Sequence, residues 1–330
     1  MSEVLVITGG PGPEHDVSVA SAASALAHLD ARRFGARLVV LDRDGTWREP
    51  DGTAIPGGFA AALAGVDVVL PLIHGTPGED GTLAGALEVA GVPYVGSGVR
   101  AGAVGMDKQL TKLVAADLGI PVAPGVLLDL ADDEALWAAR TAHLRYPRFV
   151  KPCHQGSSYG VVRVSSAGEL VPAIRAAAAY GPQVLVEEGV AGREVDIAAL
   201  RLPGGGVRLS PPLEVLVDSG GFFDNARKYD GSAVFEVPAR LDESTLAAVR
   251  RMTHALHARL GCRGVARFDF FVTADGVVLN EVNTVPGLTE RSQVPRMFAA
   301  DGLPYPELLT LLVDGALERA AAGGPVLAGR

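Results

Sequence analysis

A chain of 330 residues, 48% hydrophobic and 20% charged, is too long for one small module and long enough to bury its own core, so two or three packed lobes are expected without a disulfide or metal staple. Its 29 Lys and Arg against 38 Asp and Glu leave a net charge of −9, which argues against a nucleic-acid or anionic-membrane surface. Cys153 and Cys262 cannot build a disulfide framework or a cysteine-rich zinc site and fit a reducing cytoplasm; no apolar run reaches ~18 residues, and Met1–Gly10 enters a strand pattern with no basic and apolar leader.

The first hundred residues alternate strand and helix patterns. Val4–Thr8 reads as a strand stopped by Gly9-Gly10, Val17–Leu29 as a helix, and Leu38–Leu41, Phe59–Ala64, Val66–Ile73 and Leu83–Ala90 continue the alternation. That order implies a parallel sheet covered on both faces, with a boundary in the Gly- and Ser-rich Tyr94–Gly98. A helix over Asp107–Leu118, ended by Gly119 and Pro121, opens the middle third. Strands Arg148–Lys151 and Val161–Val164, helix Glu169–Tyr180 and strand Val184–Glu188 complete it. The last third reads as mixed and largely antiparallel, with strands Glu194–Leu202, Leu213–Val217, Val234–Val237, Val265–Val272 and Val277–Val282 and a helix over Leu246–Leu260. Asp218–Ser232 is polar and aperiodic, a candidate lid, and the chain beyond Glu318 is expected to fray.

Three stretches carry candidate chemistry. In Gly9-Gly10-Pro11-Gly12-Pro13-Glu14-His15-Asp16, prolines at 11 and 13 and His15 at the third-glycine position spoil a dinucleotide fingerprint, although Asp42 stands near where a ribose-binding acid would. Glu14 sits at a strand's carboxyl end and a helix start, the crevice where open α/β sheets bind ligands; its plainer reading is an acid complementing the helix dipole. In Lys151-Pro152-Cys153-His154-Gln155-Gly156-Ser157-Ser158-Tyr159-Gly160 a strand-end lysine leads into a Gly/Ser loop whose N–H and hydroxyl groups suit phosphate oxygens, unless it is an ordinary hairpin; the lysine precedes the glycines, so it is not a Walker A loop. In Arg267-Phe268-Asp269-Phe270 and Asn280-Glu281-Val282-Asn283 the polar residues alternate onto one strand face. A two-residue Asp275-Gly276 turn would oppose Asp269 to Val282, whereas a three-residue Ala274-Asp275-Gly276 loop, which the sequence suits, opposes it to Glu281 and gathers hard oxygen ligands for Mg²⁺. Glu187, Glu188 and Glu194 offer weaker polar edges to a nucleotide, and His254 and His257 lack the partners of a zinc site.

Together the segments GGPGPEHDVS, HGTPGEDGTLAGALE, VPYVGSG with MDK after it, VKPCHQGSSYGV, VLVEEGVAGRE, ARKY, GCRGVARFDF and NEVNTVPGLTERSQVP resemble, in this order and spacing, the D-alanine–D-alanine ligases of the ATP-grasp superfamily. The resemblance runs from about Val4 to Leu312. It implies an α/β fold, α+β in its C-terminal part: an N-terminal parallel-sheet domain (1–97), a central ATP-grasp lobe (98–191), a C-terminal mixed-sheet lobe (192–320) and a tail (321–330). It implies a cytoplasmic, commonly homodimeric enzyme that uses ATP and two Mg²⁺ ions, Mn²⁺ being able to substitute, to join two D-alanines through an acyl phosphate for peptidoglycan precursors. By residue, Lys108, Lys151, Gly156, Ser158 and Lys228 resemble phosphate-binding positions, Glu187, Glu188 and Val190 the adenine hinge, and Glu194 the ribose ligand. Asp269, Glu281 and Asn283 match the metal ligands, Glu14 the ammonium partner, and Arg267 with the Gly287 N–H the oxyanion site. Ser157 and Tyr229 match a network towards the second amino acid, Ser292 a ligand for its carboxylate, and His74 a substrate-proximal histidine. Gln293 departs from the family's usual Leu or Met beside the acceptor methyl, so a dipeptide ligase with another acceptor is the first alternative; an NAD-binding oxidoreductase is the second. Tyr229 stands where ester-forming members have Phe, which favours an amide product.

Overall fold

Val4-Leu5-Val6-Ile7 is apolar at every position, so a strand built from it must be covered on both faces. In the computed structural model, which describes residues 1–216 and 234–323, this strand is β1 (Ser2–Gly9), paired in parallel with β2 (Phe34–Leu41) and β4 (Val68–Pro71). A short edge strand, β3 (Trp47–Arg48), pairs antiparallel with β2 and is the exception to the expected all-parallel sheet. Leu5 and Ile7 pack towards α2 (Gly58–Ala62) and α3 (Thr82–Ala90). Val4 and Val6 pack towards α1 (His15–His28), α9 (Gln293–Ala300) and α10 (Tyr305–Ala321). α10 runs to Ala321, beyond Glu318 where fraying was expected, because Leu308, Leu309, Leu312, Val313 and Ala316 bury one stripe along it. The remaining tail, 324–330, lies outside the described residues.

The second sheet is antiparallel, in the order β5 (Gly125–Asp129), β8 (Gln183–Glu188), β6 (Arg148–Pro152), β7 (Val162–Val164). α6 (Glu134–Thr141) and α7 (Ala167–Ala178) cover it through Trp137, Leu170 and Ile174 against Leu128, Val150 and Val186.

The third sheet runs β12 (Val234–Glu236), β11 (Leu213–Leu216), β9 (Arg193–Arg201), β13 (Val265–Thr273), β14 (Gly276–Asn283), with β10 (Val207–Leu209) also on β9. Its named strand pairs are antiparallel, and a parallel bridge from Val122 to Leu279 adds the mixed element. Phe268, Phe270 and Leu279 face α4 (Val99–Met106), α5 (Lys108–Asp117) and α8 (Glu243–Leu260). α5 starts where Asp107 caps it, its side chain accepting from the Leu110 N–H at 2.9 Å. α4, α6, α9 and α10 have no counterpart among the helices expected from the sequence. The expected lid, Asp218–Ser232, with Lys228 and Tyr229, lies outside the described residues. No helix among the described residues is long and apolar enough to cross a membrane.

Candidate active site

A cleft of ≈ 210 Å³ opens between the second and third sheets, floored by Lys108 and Lys112 of α5 and walled by Phe149, Lys151 and Glu187 on one side and by Glu194, Phe271, Leu279 and Glu281 on the other. Glu188, Val190 and Ser158 also line it, so the residues expected at the ATP subsite, Lys228 aside, come together here or at its rim. The apolar Phe149 and Leu279 suit the flat face of a base, and the lysines suit anionic oxygen.

Glu187 is nearly fully buried and is not a solvated hinge acid. One carboxylate oxygen meets Lys112 Nζ at 2.6 Å and the other Lys151 Nζ at 2.5 Å. Burial alone would raise its pKa, but the charges of Lys151 and Lys112 outweigh it and hold the carboxyl below its ordinary range. Burial, helped by repulsion from Lys151, pushes the Lys112 ammonium down against the pull of Glu187. Two lysines share one carboxylate, an arrangement that an incoming polyphosphate would relieve. Glu188 instead accepts from Arg145 Nε and backbone N–H, each at 2.9 Å.

The Gln155–Gly160 loop crosses to the first sheet. Ser157 Oγ donates to Glu14 Oε1, and a Cβ at Gly156 would lie 3.1 Å from Glu14 Oε2, so a side chain there would crowd the carboxylate. Ser157 and Ser158 have φ of 49° and 58°, the non-glycine residues with positive φ among those described, a strain that concentrates at ligand clamps. Lys108 Nζ donates to Gln155 O at 2.6 Å and stands 3.9 Å from Glu281 Oε2.

Asp269 does lie opposite Glu281, and Arg267 opposite Asn283, but the turn differs from the expected one. Thr273 pairs with Gly276, so the loop is the two residues Ala274-Asp275, and a β-bulge between Asp269 and Phe270 restores the register. The extra residue is Asn280. It lets β14 send Leu279 and Val282 to the core while Glu281 and Asn283 join the polar face. Arg267 donates through Nε and Nη2 to the two oxygens of Asp269, each at 2.7 Å, and Asn283 Nδ2 donates to Asp269 Oδ2 at 2.9 Å. Burial disfavours the guanidinium charge, yet Asp269 and Asp196 more than offset it and raise its pKa further. Asp269, Glu281 and Asn283 offer hard oxygen donors at adjoining register positions, a set that fits Mg²⁺ or Mn²⁺.

His74 is buried beside Glu14. Its Nδ1 meets Val285 O at 3.0 Å and Glu79 Oε1 at 3.6 Å, and its Nε2 meets Ser21 Oγ at 3.0 Å. Burial works against protonation, but Glu79 and Glu14 win and raise its pKa. Ser292 Oγ accepts from Thr289 N–H at 3.1 Å and would sit 3.2 Å from a Cβ at Gly287, so these two residues form one corner. Gln293 Nε2 donates to the buried Asp196 Oδ2 at 2.7 Å. Sequence reading missed Lys112, Glu79 and Asp196. Lys112 lies four positions after Lys108 on one helix face, and Asp196 two after Glu194 on one strand face, so periodicity held both signals. His257 is a buried histidine with no zinc partners among the described residues.

Comparison with known proteins agrees with this geometry. The family described as "D-ala D-ala ligase N-terminus" matches residues 3–97, and "D-ala D-ala ligase C-terminus" matches residues 114–314. The chain is 41% identical to a D-alanine–D-alanine ligase of Mycobacterium sp. (strain KMS), over 96% of this chain and 97% of that one. The VanG D-Ala:D-Ser ligase from Enterococcus faecalis superposes with a TM-score of 0.84 at 31% identity, covering 96% of this chain and 99% of that one. The Bacillus anthracis D-alanine–D-alanine ligase complexed with ATP gives a TM-score of 0.80 at 25% identity, covering 98% of this chain and all (100%) of that one. An ATP-grasp architecture, a lysine-floored cleft and matches at both ends of the chain converge, and the protein belongs to the D-alanine–D-alanine ligase family.

Proposed function

We propose that this protein condenses two D-alanines into D-alanyl-D-alanine at the expense of ATP, as a cytoplasmic, homodimeric enzyme of peptidoglycan precursor synthesis with domains 1–97, 98–191 and 192–320. The observation that carries the reading is the Ser157–Glu14 contact, which joins an amino-acid-binding carboxylate to the loop over the lysine-floored cleft.

In this reading Glu14, with His74 beside it, holds the ammonium of the first D-alanine and aims its carboxylate at the γ-phosphorus. Lys108, Lys151 and Lys112 neutralise the phosphates, the Gly156–Ser158 backbone covers them, and Glu187 fixes the two lysines that it pairs with. Glu188, Val190 and Glu194 face the nucleoside. Asp269, Glu281 and Asn283 would hold two Mg²⁺ ions, which supply further charge neutralisation at the phosphates. The donor carboxylate displaces ADP and becomes an acyl phosphate. The second D-alanine's amine, once neutral, attacks the acyl carbon; the oxyanion is steadied by the Gly287 N–H and by Arg267 Nη1, since Nε and Nη2 are taken by Asp269. Inorganic phosphate then leaves. The resemblance assigns Ser157 and Tyr229 to the route for the amine's proton, Ser292 to the acceptor carboxylate and Lys228 to the transferred phosphate.

Gln293 favours a second reading, a polar acceptor such as the D-serine for which the Enterococcus faecalis VanG ligase is named, but its amide nitrogen is already directed to Asp196. D-Alanine in both positions is therefore the primary reading. Hydroxylamine trapping tests it: with ATP, Mg²⁺ and D-alanine, ADP release should be accompanied by D-alanyl hydroxamate. Absence of D-alanine-dependent ADP release would remove the proposal.

A further inference from the structure

Outside the cleft, a second group of side chains converges where the strand-end residues Cys153 and His154 meet the N-terminus of α5. Cys153 Sγ lies 3.3 Å from Asp107 Oδ1, and His154 Nε2 lies 3.1 Å from Asp107 Oδ2. One ligand atom from each of the three residues falls within 4.8 Å of the others. We propose that Asp107, Cys153 and His154 form a binding site for a thiophilic divalent cation of the Zn²⁺ or Co²⁺ class, separate from the hard-oxygen set of Asp269, Glu281 and Asn283.

The donor set selects the ion. Sulfur and imidazole nitrogen prefer borderline cations, whereas Mg²⁺ seeks oxygen alone and keeps its waters. Ligand atoms of a four-coordinate ion with bonds of ~2.0–2.3 Å stand roughly 3.3–3.8 Å apart; His154 Nε2 and Asp107 Oδ2 stand 3.1 Å apart, and one ligand atom from each of the three residues lies within 4.8 Å of the others, a spread that small side-chain rotations close. Asp107 can serve without losing the helix cap, because Oδ1 holds the Leu110 N–H while Oδ2 is the oxygen turned to His154. The cysteine is buried and the histidine is exposed, so solvent can take the fourth position and the ion can enter from the His154 side. Lys108, next along the chain, directs its ammonium to Gln155 O. On binding, the Cys153 thiol gives its proton to water and its sulfur lone pair to the metal. The bound ion would tie the leading end of the Gln155–Gly160 loop to α5.

The test is titration of the full chain, in excess Mg²⁺ and without ATP, with Co²⁺ alone. One equivalent should bind with a thiolate-to-Co²⁺ charge-transfer band in the near ultraviolet, and Zn²⁺ should displace it. The band should be lost in Cys153→Ser, persist in Cys262→Ser, and need at least about tenfold more Co²⁺ in His154→Ala, whose exposed side chain is removed without harm to packing. Mg²⁺-supported turnover of the variants should stay near that of the parent, which shows that they are folded. No charge-transfer band in the parent, a band that survives Cys153→Ser, or unaltered Co²⁺ affinity in His154→Ala would each overturn the proposal. None of these readouts depends on which amino acids the enzyme joins.

Discussion

The Glu187 carboxylate meets two lysines, so the cleft floor holds one more positive charge than negative at that point. Removing one lysine leaves a neutral pair and a weaker hold on polyphosphate. Lys112→Met should raise the KM for ATP by about tenfold, equivalent to roughly 1.4 kcal/mol, while D-alanine dependence changes little; an unchanged KM for ATP would place Lys112 outside nucleotide binding. Glu281→Gln removes a charged oxygen ligand but keeps the side chain's volume. Turnover should fall on the order of 10²-fold or more with the melting temperature preserved, and near-parental turnover in Mg²⁺ would contradict the metal assignment. Glu14, Lys151 and Asp269 were legible because each sits inside a local motif. Alternation from Glu194 gives Asp196 its strand face, but its partner Gln293 lies 97 positions away, and no local pattern records that pairing.

At the scale of elements, the β13–β14 hairpin separates what a sequence determines from what it leaves open. Alternation of Arg267, Phe268, Asp269 and Phe270 settles the faces, and it placed Asp269 opposite Glu281. The loop length was misjudged because a bulge in the strand and an extra loop residue produce the same register beyond Asn280. In α8, His257 is buried, and that burial, with Arg201 and His254 adding repulsion, pushes its pKa down to about 4. The unfolded chain, with a histidine pKa of about 6.5, takes up that proton first as the pH falls. The stabilising contribution is therefore complete above about pH 6.5 and is lost as the pH drops towards 4. His257→Leu should lose less melting temperature than the parent between those limits; parallel profiles would show that His257 does not titrate in the fold.

Across the whole molecule, each sheet contributes to one crevice: Glu14 comes from the N-cap of α1 after β1, Lys151 and Ser157 from the β6 end and its loop, and Arg267, Asp269 and Glu281 from β13 and β14. The last helix, α10, returns to the first sheet at β4 and α1, while α9 lies against β9, so Phe298 and Leu309 share one apolar cluster with Val4 and Leu70; Arg33 pairs with Asp314 at 2.9 Å. Strand and helix alternation made the first sheet legible, but not the return of residues 305–321 onto it, since an apolar helix stripe does not name the face it will cover. The net charge of −9 argues against a polyanionic partner, while the local lysines point to a small anionic one. The most direct test of that combined site is phosphate release over a panel of D- and L-amino acids with the dipeptide identified by mass. D-Alanine alone should support turnover and yield D-alanyl-D-alanine as the main product; strong turnover of another pair with none from D-alanine would contradict the account.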